Sequence, residues 1–217
     1  MNTDPAETER YMIFEGVIQW TQAVALQSDR VAAAQAAQFQ PGAQQGANRL
    51  LDMNFRSECD YFSVAVDMLF QFKKRAKVLD LFASVDFSEI DIVPWQDRVD
   101  VRNRRMHVAD YLTPGGEAGK GWFVETPDFK ADPSSTVGTL IGGRLDWAAL
   151  GGAAKRLLPK LLAQPIPYPS IPGMPKPELA LPVRFLGALR AMAWGDQRVA
   201  IEWMESPNPA LGGLTPA

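Results

Sequence analysis

Leu51, Phe55, Cys59, Phe62, Val66 and Leu69 advance along the chain by threes and fours, the spacing of a long α-helix with one buried stripe. The same stretch runs on into the basic segment Lys73–Lys77, and Glu58, three residues after Phe55 and four before Phe62, sets a carboxylate on the border of the stripe. With 217 residues, 47% of them hydrophobic, the chain has enough apolar surface for one sizeable core.

Other helices can be placed around this one. Asp4-Pro5-Ala6-Glu7 reads as a helix start, with Asp4 as N-cap, Pro5 at the first helical position and Glu7 placed to reach back. Phe14, Val17, Ile18, Thr21, Val24 and Ala25 then follow the helical period. The Ala/Gln-rich run from Asp29 to Gln40 either extends that helix or begins another, and Pro41-Gly42 stops it. Residues 32–47 have the composition of an exposed, adaptable connection. Leu79 to Ala83 reads as a short helical turn and Phe87 to Pro94 as a connection. A helix from about Gln96 to Leu112 takes Val99, Met106, Ala109 and Leu112 as its apolar positions. Another, from about Asp146 to Leu162, carries Trp147, Leu150, Ala154, Leu157, Leu158 and Leu161, with Pro159 expected to kink it or end it early.

Between the last two helices, 121–125 and 136–141 read as short strands of a small β-insertion, about 117–142. Seven prolines between Pro165 and Pro182 exclude helix and interior strand, leaving a polyproline-like connector at 164–182. Residues 183–217 follow as an appendage, a β-hairpin turning at Gly195-Asp196-Gln197 with a tail. Residues 1–163 then form the helical domain.

Several functions are excluded. The formal net charge of −3 makes the whole molecule no general binder of nucleic acid. Cations do cluster locally, at Lys73-Lys74-Arg75 with Lys77 and at Arg98, Arg102, Arg104 and Arg105. A single cysteine, Cys59, permits no internal disulfide and has no partner at metal-ligand spacing, so a reducing compartment and no metal are expected. The acidic, polar N-terminus has no secretory pattern and no apolar run reaches bilayer length, so a cytoplasmic protein is expected. The glycines at 115–121 and 138–143 match neither a P-loop nor a dinucleotide fingerprint.

One constellation carries chemistry. His107, the only histidine, lies four residues after Asn103, so both share a helix face, and Arg102 can reach toward the same point. Amide, guanidinium and imidazole together suit a phosphodiester, because Arg forks onto phosphate oxygens and His moves protons near neutral pH. Spacing alone leaves a second reading open, surface charges on a solvated helix.

The segment Arg102-Asn103-Arg104-Arg105-Met106-His107 resembles the signature of the HEPN superfamily, an Arg followed by a polar residue and, a few residues later, a His. The resemblance implies a mainly α fold, a HEPN-like bundle of four to five helices over about residues 5–163. It implies a metal-independent, cofactor-free endoribonuclease working on RNA as a homodimer through the motif helix, in a toxin–antitoxin or phage-defence setting with an antitoxin or other protein partner. His107 would be general base or acid, Arg102 would stabilise the phosphate, Asn103 would orient either, and Arg104 and Arg105 would hold flanking phosphates. Glu58 would orient Arg102. The alternative is a non-catalytic HEPN-like protein that binds nucleotide, RNA or a partner. The chain departs from the modified toxins of that superfamily in carrying Ala109 two residues after the His, with its tyrosine only at Tyr111.

Overall fold

The computed structural model describes residues 4–38, 45–107, 124–125, 130–131 and 135–168, all within one unit, Asn2–Ser170. They are mainly helical: α1 (Pro5–Gln38), α2 (Gln45–Val78), α3 (Trp95–Met106) and α4 (Trp147–Leu162). Five two-residue strands join them, β1 (Val124–Glu125) with β2 (Lys130–Ala131), and β3 (Thr136–Val137), β4 (Leu140–Ile141) and β5 (Leu145–Asp146) in one antiparallel sheet.

α1 starts where expected: the Asp4 carboxylate accepts from the Ala6 N–H at 2.9 Å, satisfying one of the donors a helix start leaves open. The Ala/Gln-rich run is no connection as far as Gln38. It continues α1, with Val31 and Ala34 buried, because alanine has the strongest helix propensity. Phe14, Val17 and Val24 of α1 meet Phe62, Val66 and Leu69 of α2 and Leu150, Leu157 and Leu161 of α4 in one core.

Two glycines let α1 lie against both neighbours. A Cβ on Gly16 would stand 2.1 Å from the Phe72 ring of α2, and one on Gly151 of α4 would stand 2.1 Å from Ser28 Oγ. Pro159 does not end α4, which runs to Leu162. It lies on the exposed side of the helix, as does Lys155, whose carbonyl loses its amide partner to the proline.

α2 ends in a Schellman turn: Leu81 N–H donates to Ala76 O at 2.9 Å and Asp80 N–H to Lys77 O at 3.3 Å, with Asp80 left-handed at φ 52°. The following connection belongs to the core, since Leu81, Phe82, Ile90 and Val93 are buried and the Phe82 ring stacks on Phe14 at 4.6 Å between centroids.

In the three-stranded sheet Ile141 pairs with Leu145, and both point into the core. The sheet is therefore part of the bundle, tied to α1 by Gln35 Nε2, which donates to Gly138 O at 2.8 Å, and to α2 by the contact of Cys59 Sγ with Thr136 Oγ1 at 3.5 Å. The far end of the expected 96–112 helix, the connector after Tyr168 and the C-terminal hairpin lie outside the described residues.

Candidate functional site

α3 turns a different face inward from the one its apolar residues mark. Its buried positions are Arg98, Val101 and Arg105, three and four apart, whereas Val99 is half-buried and Met106 is exposed. The Arg98 guanidinium lies 3.3 Å from the centre of the Phe70 ring, and its Nε donates to Val93 O at 3.3 Å. Burial pushes this guanidinium below its ordinary pKa, and the Asp67 and Asp91 carboxylates pull it back up.

The next cation is Arg102, whose Nε is 3.3 Å from Asp67 Oδ2 and whose Nη1 donates to Asn103 Oδ1 at 2.5 Å. Arg105 follows, its Nε 2.5 Å from Asp60 Oδ1 and its Nη2 donating to Arg56 O at 3.1 Å. Its side chain is only 2% exposed, so it is neither a solvated charge nor placed to hold a flanking phosphate. The acidic side of α3 is clamped too: Arg144 Nη1, from the turn between β4 and β5, reaches Asp97 at 2.8 Å and Asp100 at 3.4 Å.

The expected set of site residues is thus brought together in part. Arg102 and Asn103 touch each other. His107 is the exposed C-cap residue of α3, its backbone N–H donating to Asn103 O at 2.8 Å. Arg104 is half-buried. Glu58 does not orient Arg102: it accepts from Gln27 Nε2 and lies 3.8 Å from Arg30 Nε, both on α1. The carboxylate that meets Arg102 is Asp67, nine residues on, which helical geometry places on the opposite side of α2.

Two of the four cations of the other basic segment are engaged within the chain. Lys73 pairs with Asp91 over the Phe70 and Phe87 rings, and Arg75 pairs with Glu9. Among the described residues no group of three or more His, Cys, Asp or Glu could hold a metal ion, and no helix is long and apolar enough to cross a membrane.

Comparison with known families adds one finding outside the described residues. Residues 188–217 match the model of the antitoxin Xre/MbcA/ParS C-terminal toxin-binding domain. The likeness covers the last part of the chain alone. It comes from a toxin–antitoxin family, and the comparisons return nothing for the HEPN resemblance. No curated protein and no solved structure matches.

Sequence reasoning missed Asp60, Asp67, Arg98 as a buried group, and Arg144. A usable signal existed: Asp60 and Asp67 are seven apart on one side of α2, as Arg98 and Arg105 are on α3. Two helices with matched seven-residue spacings of opposite charge can pair side by side.

Proposed function

We propose that this protein is a component of a toxin–antitoxin system whose C-terminal segment, residues 188–217, binds a protein toxin. The observation that carries the reading is the match of that segment to a toxin-binding domain of antitoxins. The arrangement of α3 agrees with a binding role for the chain, because Arg102 and Arg105 of the motif are each held by a carboxylate, and Arg98, one turn before the motif, lies on the Phe70 ring. A guanidinium held by a carboxylate already has part of its donor set and its charge engaged within the fold. The role then sits on the antitoxin side of the pair, with the helical unit as the body that carries the toxin-binding end.

The test is co-expression of the full chain with the product of the adjacent reading frame. Wild-type protein should relieve the growth arrest that this product causes and should co-purify with it, and Trp203→Asp should lose both while keeping the same helical circular dichroism. Growth rescue unaffected by changes across 188–217 would sink the reading.

A second reading rests on a separate observation, the exposed position of His107 at the end of the helix that carries Arg102 and Asn103. In it two copies form one cleft, and His107 serves as general acid or base in metal-independent RNA cleavage. Cleavage of an RNA pool in EDTA to cyclic phosphate ends, lost in His107→Ala, supports it. Equal cutting by both proteins, or none, removes it.

A further inference from the structure

α1, α2 and α4 hold one another through buried aliphatic and aromatic side chains, but α3 does not join them in that way. Its only fully buried apolar residue is Val101, and its two largest apolar side chains, Trp95 and Met106, are 64% and 53% exposed. What presses α3 onto α2 is Arg102 on Asp67, Arg105 on Asp60 and Arg98 on the Phe70 ring. What holds its other side is Arg144 on Asp97 and Asp100.

We propose that α3 is an electrostatic latch, a helix that leaves the bundle as a unit when ions compete for its arginines while α1, α2 and α4 stay folded. Burial of one valine contributes only about 1.5–3 kcal/mol, so the docked state depends on the ion pairs. Those pairs are within reach of solvent ions, because each has at least one partly exposed member. Side-chain exposure is 35% for Arg102, 38% for Asp60, 32% for Arg144, 28% for Asp97 and 29% for Asp100. As the Debye length falls from about 10 Å at 0.1 M salt toward about 3 Å at 1 M, the partly exposed members of these pairs are screened, less than fully exposed pairs would be, and dissolved ions compete for them directly. The contacts within the apolar core strengthen or hold under the same change.

Undocking would bring Arg98, Arg102 and Arg105 into solvent along one face of α3. At 1.5 Å per residue this face spans roughly 10 Å. It would uncover the carboxylates of Asp60 and Asp67 on α2 at the same time. In the closed state those carboxylates occupy the places an anionic ligand would take, so the contact is autoinhibitory for any use of the arginine face. The inference stands apart from the toxin-binding reading, since it involves none of residues 188–217.

Hydrogen exchange of the full chain, followed by mass spectrometry at 0.05 and 0.5 M sodium chloride, tests it. Amides of 98–106 should exchange about tenfold faster at the higher salt, with those in the middle of α1, α2 and α4 changing less than about twofold. Asp67→Arg should open α3 already at low salt, and Asp67→Arg with Arg102→Asp should restore protection. Salt-independent exchange of α3, or exchange in step with the whole bundle, overturns the proposal. If Asp67→Arg fails to fold, the wild-type salt series decides alone.

Discussion

Arg105 and Asp60 form an ion pair in which one partner is sealed and the other is wet: the arginine side chain is 2% exposed and the carboxylate 38%. Removing the carboxylate takes the paired charge from a buried cation, which keeps its bond to Arg56 O, whereas removing the cation leaves an acid that water can solvate. Asp60→Ala should cost about 2–3 kcal/mol, lowering the melting temperature by roughly 4–12 °C. Arg105→Met in the same background should recover most of that loss, and thermal unfolding of the three variants measures it.

Gly151 tests the crossing of α1 and α4. Alanine at an ordinary helical position gains about 1 kcal/mol over glycine, but here its Cβ would meet Ser28 Oγ at 2.1 Å and Ser28 Cβ at 2.2 Å. Gly151→Ala should therefore lower stability by about 1–3 kcal/mol. Adding Ser28→Gly should return part of it, and a double-mutant cycle by urea unfolding would read the coupling.

Asp80 occupies the left-handed position of the Schellman turn, φ 52°, where glycine carries no Cβ penalty. Asp80→Gly should raise stability by roughly 0.5–1 kcal/mol, while Asp80→Val should lower it. Denaturant midpoints are enough to separate the two.

The Cys59 thiol is raised above its ordinary pKa, chiefly by burial, with the Thr136 hydroxyl opposing the shift. The folded state therefore holds the proton longer than the unfolded one. This contribution is fully present below the unfolded thiol's value of roughly 8.5 and is lost as pH rises through the folded value. Stability should decline above about pH 8.5, less steeply in Cys59→Ala, and a thiol reagent should label Cys59 at the rate of opening of the bundle.

How much of this could be read from residues alone differs by element. The stripe through Phe55, Cys59, Phe62, Val66 and Leu69 identifies α2 and its buried face correctly, because apolar periodicity reports directly on burial. The Asp4 cap and the inward face of α1 are legible for the same reason. α3 misleads because its inward face is written in arginine, which periodicity counts as surface, while Met106 and Trp95 point outward. Glu58 and Asp67 compete as partners of Arg102 until the side of α2 that faces α3 is known; the matched spacings of Asp60 with Asp67 and Arg98 with Arg105 point to that side, and the tertiary structure fixes it. Residues 39–44, where Pro41-Gly42 falls, and the strand expected to start at Gly121 lie in part outside the described residues.

The close seat of Gly151 on Ser28 also bears on how the chain is made. During synthesis α1 emerges before α2, and α2 can pair with it as soon as the hairpin between them is complete. The side of α1 around Ser28 stays uncovered until α4 arrives, and the Lys155–Asp29 pair that accompanies this docking links residues 126 positions apart. Between the completion of α2 at Val78 and that of α4 at Leu162 the nascent bundle therefore has one apolar flank open to water. That flank is where a chaperone would bind and where a stalled ribosome would leave an aggregation-prone product.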